Sequence, residues 1–198
     1  PCIQVPTSLL AMVDSSVGGK TAVDLPEGKN LVGTFTQPYL VLCDITTLDT
    51  LPKEVFEEGM AEVIKYGMIR SKELLELLLT DDAERKRERV IAQCVRLKRD
   101  VVAEDEQDFG ERQILNFGHT LGHAIEREMN YKLFHGDCVA IGMAIMTRAL
   151  VRDGRCPESC EKILEKLLKK YKLPNSTELP SERILAAARA DKKRRGEK

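Results

Sequence analysis

The stretch GDCVAIGMAIMTRALV, Gly136 to Val151, decides what kind of fold this chain adopts. Apolar residues occupy nearly every position of the stretch, with no polar face at helical spacing. A helix that is apolar all round its axis must be covered on every side, as at the centre of a helical bundle. We therefore predict that the fold is built around this segment as a buried helix.

Three other segments have the patterns of helices that surround such a centre. Residues 51–69, LPKEVFEEGMAEVIKYGMI, start with a proline and acidic residues, which suit the positive end of a helix. Residues 158–173, ESCEKILEKLLKKYKL, form an amphipathic repeat, and so do residues 87–105. In the last of these, one helical face carries the apolar positions Val90, Ile91, Cys94, Val95, Leu97, Val101 and Val102.

The first 50 residues have a different pattern. The short apolar runs CIQV, residues 2–5, and YLVLCDI, residues 39–45, are interrupted by proline and glycine, as buried strands with a long loop between them are. We predict a mainly α fold in two unequal parts. Residues 1–50 would be the end of an α/β unit, and residues 51–198 an all-helical domain.

Composition excludes several classes of function. The chain is 42% hydrophobic and 32% charged with a net charge of −1, which argues against nucleic acid or an anionic membrane as partner. No apolar run approaches the ~20 residues that cross a bilayer. The six cysteines form no CxxC pair, so we expect reduced thiols in a cytoplasm. Because the chain starts at Pro1 and stops in ADKKRRGEK, we expect a piece of a longer protein.

The stretch DSSVGGKT, residues 14–21, ends like a nucleotide-binding loop. A P-loop requires a glycine five residues before its Gly-Lys pair, where the backbone turns its N–H groups toward phosphate. That position is Asp14, whose carboxylate would repel a phosphate. We therefore reject an ATPase and expect Gly18 and Gly19 to let the backbone approach another ligand closely.

All three histidines of the chain lie within 17 positions. If residues 112–128, RQILNFGHTLGHAIERE, form one continuous helix at about 100° per residue, a single polar stripe runs along it. This stripe contains Arg112, Asn116, His119 and His123. A water-facing polar face explains the first two easily but explains two histidines one turn apart less well. We interpret the stripe as one side of a functional cleft.

An HxxxH pair is a common zinc-binding arrangement, and it needs a third ligand from elsewhere. Residue spacing leaves His135, Glu62 and Glu126 open as that ligand. Glu62 and Lys65 lie one helical turn apart among apolar neighbours, which favours a buried site over a surface ion pair.

Five motifs, taken in order, resemble the 3-dehydroquinate synthase family, and the resemblance runs from about residue 3 to Asp191. They are PTSLLAMVDSSVGGKTAVDLPEGKNLVGTFTQP (6–38), EGMAEVIKYG (58–67), LKRDVVAEDE (97–106), NFGHTLGHAIE (116–126) and HGDCVAIGM (135–143). The resemblance implies a C-terminal helical-bundle domain preceded by the last strands of an α/β Rossmann-like domain. It also implies conversion of the sugar acid phosphate DAHP to 3-dehydroquinate and phosphate in the shikimate pathway. NAD⁺, zinc or another divalent cation such as cobalt, and a homodimer belong to the same expectation.

The resemblance also assigns roles to residues. Glu62, His119 and His135 match the metal ligands, and His123 faces the substrate as a candidate for proton transfer. Residues that match substrate contacts are Lys20, Asn30, Lys65, Lys98, Arg112, Asn116 and Lys192, with Lys193 as the alternative lysine. Residues that match positions near the cofactor or line its cleft are Thr7, Ser8, Asp14, Lys20, Lys29, Thr47, Leu48, Asp49 and Thr50. Ser8 stands where the family usually has threonine.

The sequence differs from the family pattern in one major respect, and three alternative functions remain open. In the family a dinucleotide-binding half precedes the PTSLLA motif, so we expect the 198-residue chain by itself to bind metal, hold NAD⁺ poorly and show little activity. A cyclase acting on sedoheptulose 7-phosphate or glucose 6-phosphate is the nearest rival. A metal-dependent alcohol dehydrogenase and an inactive helical dimerisation module are more distant ones.

Overall fold

Seven α-helices dominate the described part of the chain, so the prediction of a mainly α fold is confirmed. The computed structural model describes the backbone of residues 2–25, 28–80, 83 and 85–196, and the side chains of these residues except 24, 28–31 and 190–196. The helices are α1 (Lys53–Arg70), α2 (Lys72–Leu79), α3 (Arg87–Glu104), α4 (His119–Glu128), α5 (His135–Arg152), α6 (Glu158–Lys170) and α7 (Ser181–Gly196). None of the described helices is long and apolar enough to cross a bilayer.

The N-terminal residues form two separate pairs of strands. The strands are β1 (Ile3–Gln4), β2 (Lys20–Leu25), β3 (Gly28–Phe35) and β4 (Leu40–Val41). β1 pairs with β4 in parallel, whereas β2 and β3 form an antiparallel hairpin with an irregularity between Val23 and Leu25. Most of the large apolar side chains that stay exposed in the described residues belong to residues 3–42. A π-helical segment, Ala11–Ser15, lies between these two pairs in the sequence, and its Met12 and Val13 are buried in the main apolar cluster.

Helix α5 lies at the centre of the fold, as its apolar sequence predicts. Val139, Ala140 and Met143 belong to the main apolar cluster, together with side chains of α1, α2, α3 and α6. Cys138 and Ile141, on the other side of α5, belong to a second cluster with α4 and α7. Because both sides of α5 are covered by different helices, nearly all of its first three turns must be apolar. Its last turn is only half-buried.

Helices α4 and α5 approach each other closely because glycines face the contact. A Cβ atom on Gly122 would lie 3.0 Å from the carbonyl oxygen of Cys138, and one on Gly142 would overlap the carbonyl oxygen of Gly118. Gly118 also has a φ of 79°, in the left-handed region that glycine adopts without strain. This approach brings His119, the first residue of α4, beside His135, the first residue of α5.

The prediction of one continuous helix over residues 112–128 is wrong. Residues Glu111–Asn116 form a 3₁₀ helix, Gly118 breaks the chain in the left-handed conformation, and α4 starts only at His119. The break changes the helical phase, so Arg112 and Asn116 do not continue the stripe of the two histidines. The reason is tertiary, since the chain has to turn at Gly118 for α4 to reach α5.

Replacing Gly142 with alanine tests the close approach of α4 and α5. We expect the substitution to lower the free energy of unfolding by about 1–3 kcal/mol, because the added methyl group must push the two helices apart. Thermal denaturation followed by circular dichroism should show a Tm at least about 2 °C lower. Arg152→Ala, at an exposed position of α5, is the control and should leave the Tm nearly unchanged. An equal Tm for Gly142→Ala and wild type would contradict the packing described here.

Candidate metal centre

Three side chains from three helices converge at one point. Glu62 of α1, His119 of α4 and His135 of α5 each offer one ligand atom, and these atoms all lie within 4.8 Å of one another. The Oε1 atom of Glu62 lies 3.3 Å from Nε2 of His119 and 3.9 Å from Nε2 of His135. The tertiary structure therefore brings together the residues that the resemblance assigned as metal ligands.

The carboxylate of Glu62 has the properties of a cation ligand. Its side chain is fully buried, and neither oxygen accepts a well-formed hydrogen bond from the described residues, although Lys65 Nζ contacts Oε2. Burial raises the pKa of Glu62, but the charges of Lys65 and His119 outweigh it and lower the pKa to about 2. The group is therefore an ionised carboxylate with unused lone pairs. One such carboxylate and two imidazoles are a donor set that fits zinc or a similar divalent ion.

The two imidazoles are turned so that the same nitrogen faces Glu62. Nδ1 of His119 lies 3.2 Å from the carbonyl oxygen of Phe117, and Nδ1 of His135 lies 3.4 Å from Oε2 of Glu126. A proton on each Nδ1 would be donated to these acceptors, which leaves each Nε2 lone pair for a cation. Burial lowers the pKa of His135, but the hydrogen bond to Glu126 and the charge of Glu62 raise it above its usual value.

His123 lies beside this centre rather than in it. Its ring centroid is 5.5 Å from that of His119 and 5.6 Å from that of His135. With Glu126 and His135 it forms a second group whose ligand atoms lie within 4.8 Å of one another. The interpretation of His119 and His123 as a common cation-ligand pair is therefore wrong for the described residues, because neither group of ligand atoms contains both and His135 is the imidazole that the two groups share.

A network of buried charges adjoins the metal centre. The carboxylate of Asp14 accepts a hydrogen bond from the Tyr66 hydroxyl at 2.9 Å and contacts Lys98 Nζ, which also donates to the Asp14 main-chain oxygen at 2.5 Å. Lys65 Nζ lies 3.9 Å from Asp14 Oδ2 and links this network to Glu62. Lys65 and Lys98 are 1% and 7% exposed, so the alternative of a surface ion pair between Glu62 and Lys65 is wrong.

The directions of the pKa shifts follow from this geometry. Burial raises the pKa of Asp14, but Lys65 and Lys98 outweigh it and hold the pKa well below its usual value. Burial lowers the pKa of Lys65, but two carboxylates raise it above the usual value. For Lys98 burial wins over its single carboxylate partner, and the pKa is lowered. The network therefore contains two ammonium groups in unequal environments.

Arg112 and Lys20 have protein partners away from the imidazoles. The guanidinium of Arg112 is 2% exposed and donates to the carbonyl oxygens of Gly18 at 2.8 Å and Glu106 at 2.7 Å. Lys20 Nζ forms an ion pair with Asp108 at 2.5 Å. Gly18 has a φ of 98°, and a Cβ atom there would lie 2.7 Å from Arg112 Nη2. This glycine therefore admits an arginine of the protein itself, which the sequence does not suggest.

The hydroxyl groups assigned to the cofactor are used in local turns. Ser8 Oγ accepts a hydrogen bond from the Ala11 amide at 3.3 Å. Thr47 Oγ1 donates to the Asp44 carbonyl at 2.8 Å, and Thr50 Oγ1 donates to the Thr47 carbonyl at 3.2 Å. These bonds stabilise the start of the π-helical segment and the 3₁₀ helix Ile45–Thr50. Their assignment to the cofactor stays a prediction.

The other residues assigned to the cofactor or substrate fall into two groups. Leu48 is buried in the main apolar cluster, Asp49 forms an ion pair with Arg87 at 2.6 Å, and Thr7 is exposed. The side chains of four further residues lie outside those the structure describes, although their backbones belong to β3 and α7. These four are Lys29, Asn30, Lys192 and Lys193.

Sequence reasoning missed two contacts in this region. Tyr66 follows Lys65 in a mostly apolar segment, yet its hydroxyl donates a hydrogen bond to Asp14. Glu126 was considered only as a third cation ligand, yet it lies against the outer nitrogen of His135. Its position three residues after His123 was the one available signal, because such a residue lies on the same helical face.

Comparison with known proteins gives the same family from both parts of the chain. The model of the 3-dehydroquinate synthase N-terminal family matches residues 1–58, and that of the 3-dehydroquinate synthase C-terminal family matches residues 59–194. A 3-dehydroquinate synthase from Clostridium perfringens strain 13 is 52% identical over 86% of this chain and 50% of its own length. One from Clostridium acetobutylicum is also 52% identical, over 98% of this chain and 56% of its own length. The chain thus spans about half the length of these relatives.

Solved structures of similar fold are sugar phosphate cyclases. A 2-epi-5-epi-valiolone synthase from Streptomyces hygroscopicus, solved with NAD⁺ and Zn²⁺, superposes with a TM-score of 0.89 at 26% identity over 98% of this chain and 57% of its own. A 2-deoxy-scyllo-inosose synthase, solved with carbaglucose-6-phosphate, NAD⁺ and Co²⁺, gives a TM-score of 0.82 at 31% identity over 94% and 53%. Sequence motifs, family models and fold agree, and the chain belongs to the 3-dehydroquinate synthase family.

Proposed function

We propose that this chain provides the cation-binding and substrate-binding part of a 3-dehydroquinate synthase, a carbon–oxygen lyase of the shikimate pathway that forms 3-dehydroquinate and phosphate from DAHP. The convergence of Glu62, His119 and His135 is the observation that carries the proposal. The 52% identity to two synthases named for this activity supports DAHP as the substrate.

A divalent cation held by these three residues would gather substrate hydroxyl oxygens and lower the pKa of the one to be oxidised. The protein's own groups complete the site. Lys65 and Lys98 supply buried positive charge, which suits the carboxylate and phosphate of DAHP. His123 is the candidate for proton transfer, because imidazole titrates near neutral pH and this ring adjoins the cation ligands.

Lys20 and Arg112 keep hydrogen-bond donors for a substrate anion although each has a protein partner. Lys20 pairs with Asp108, and Arg112 donates to the carbonyl oxygens of Gly18 and Glu106, but an ammonium has three donors and a guanidinium five. We therefore assign substrate binding to these two residues together with Lys65 and Lys98.

NAD⁺ enters the proposal from the two solved cyclases, both of which hold it. The hydroxyls of residues 8, 47 and 50 each form one local hydrogen bond and keep further hydrogen-bonding capacity for a cofactor. A homodimer likewise stays a prediction.

Cation binding is the first test. The purified chain, stripped with a chelator and titrated with Zn²⁺ or Co²⁺, should bind one ion, and Co²⁺ should show the visible absorption of a protein-bound site. Glu62→Gln and His119→Ala should each weaken binding by more than about 100-fold, beyond the 10–100-fold typical of an outer hydrogen-bond partner.

Glu76→Gln is the control, because Glu76 lies on α2 with 65% of its side chain exposed. It should bind the ion like wild type. Unchanged affinity in both Glu62→Gln and His119→Ala would refute the proposed centre.

Turnover is the second test. Phosphate release from DAHP by the 198-residue chain with NAD⁺ and Zn²⁺ should be far slower than by the longer synthase of C. acetobutylicum, because the chain aligns with only 56% of the length of that synthase. Equal rates would show that these 198 residues suffice.

The second candidate function is that of a cyclase acting on a different sugar phosphate. It follows from the names of the two solved structures, a 2-epi-5-epi-valiolone synthase and a 2-deoxy-scyllo-inosose synthase. Ligand-observed NMR of the Zn²⁺-loaded chain with DAHP, sedoheptulose 7-phosphate and glucose 6-phosphate separates the candidates. The synthase predicts the strongest binding for DAHP, and a preference for either of the other sugar phosphates would favour the second candidate.

A further inference from the structure

A buried carboxylate on α4 lies behind one of the proposed cation ligands. Glu126 is 3% exposed, and its Oε2 atom lies 3.4 Å from Nδ1 of His135. The proposed function uses Glu126 neither as a ligand nor as a substrate contact. A carboxylate at this depth is costly unless it is paired with hydrogen-bond donors or positive charge.

His135 has a different acidic neighbour on each of its two nitrogens. Nδ1 faces Glu126, whereas Nε2 faces Oε1 of Glu62 at 3.9 Å. A neutral imidazole carries one proton, and an acceptor beside one nitrogen selects the tautomer that places the proton there. With the proton on Nδ1, the lone pair of Nε2 is directed toward Glu62 and His119.

His119 shows the same arrangement with a different acceptor. Its Nδ1 lies 3.2 Å from the carbonyl oxygen of Phe117, and its Nε2 faces Glu62 Oε1. A main-chain carbonyl is held rigidly by the backbone. For His135, the first residue of α5, the acceptor beside Nδ1 is the carboxylate of Glu126 on α4. A side chain of a neighbouring helix therefore takes the place of the main-chain carbonyl.

We propose that Glu126 is a positioning residue that holds His135 in the Nδ1-protonated tautomer and directs Nε2 at the cation. This inference rests on the proposed cation site. It also accounts for the glycine at Gly122, one helical turn before Glu126 on the same face of α4. A Cβ atom there would lie 3.0 Å from the Cys138 carbonyl, so the missing side chain lets α4 come close enough to α5 for the contact.

A second cation between His123, Glu126 and His135 is the competing explanation, since their ligand atoms also lie within 4.8 Å of one another. It requires His135 to ligate one ion through each nitrogen and so to lose both ring protons. Two divalent ions would then share two carboxylates, Glu62 and Glu126, while the buried ammonium of Lys65 adds further positive charge. The charge balance favours one cation and an orienting carboxylate.

The test compares Glu126→Gln and Glu126→Leu with a matched control, Glu128→Gln. Glu128 lies on the same helix, but its carboxylate pairs with Arg183 at 2.7 Å at the surface. We expect Glu126→Leu to weaken Zn²⁺ binding by about 10–100-fold, the range for loss of an outer partner of a metal ligand. Glu126→Gln retains an acceptor oxygen and should lose less, and Glu128→Gln should match wild type. Circular dichroism establishes that each variant is folded.

Long-range ¹H–¹⁵N NMR of the metal-free chain gives a second readout that packing alone would not change. Wild type and Glu128→Gln should show His135 with the proton on Nδ1, and Glu126→Leu should show a mixture or the other tautomer. Wild-type affinity and an unchanged tautomer in folded Glu126→Leu would overturn the inference while leaving the cation site intact. Two Zn²⁺ ions in wild type, with only one lost in Glu126→Leu, would establish the second cation instead. Absence of cation binding in wild type would overturn the proposed centre, and this inference with it.

Discussion

The burial of one ionised carboxylate is the constraint on which this structure depends. Glu62 has no exposed surface, and transfer of an isolated carboxylate into such an environment is prohibitively unfavourable. The ammonium group of Lys65 contacts Oε2 of Glu62 and balances its negative charge, and the imidazoles of His119 and His135 face Oε1. Because these partners come from α1, α4 and α5, the buried carboxylate is stabilised only when the three helices bring them to this point.

The same helix contacts that form the apolar core also position the residues of the metal centre. α5 separates two apolar clusters, which fixes its position between the helices on either side. Gly118, Gly122 and Gly142 remove the side chains that would otherwise keep α4 away from it. The first residues of α4 and α5 then carry the imidazoles, so the proposed ligands stand on rigid elements, as a site that needs constant geometry requires.

Asp14 joins the N-terminal residues to the helices through charge rather than through apolar contact alone. It comes from the π-helical segment near the start of the chain, while its partners Tyr66 and Lys98 come from α1 and α3. The predicted boundary at residue 50 separates strand-containing from helical sequence, but this network crosses it. The main apolar cluster also crosses it, since Met12, Val13 and Leu48 pack with side chains of the helices.

The sequence by itself determined four of the seven described helices, α1, α3, α5 and α6, and the apolar face of α3. Local periodicity predicts α3 and α6 because side chains three and four positions apart share a helical face whatever the rest of the chain does, and the nearly continuous apolar run predicts α5. The same argument grouped His119 with His123. Residue spacing left His135, Glu62 and Glu126 open as the third cation ligand. Only the resemblance to the family named Glu62 and His135 as ligands.

Only the tertiary structure decided where helices stop and which distant groups meet. The break at Gly118 follows from the contact between α4 and α5, which no local pattern encodes, and it interrupts the continuous helix that the sequence pattern predicts for Arg112 and the histidines. Local patterns give Tyr66 no special role, and the resemblance gives Lys98 only a substrate contact, yet both bind Asp14 from positions far along the chain. Electrostatic partners depend on distance in space rather than in sequence, so burial, pKa and ligand geometry could be assigned only once the helices were packed.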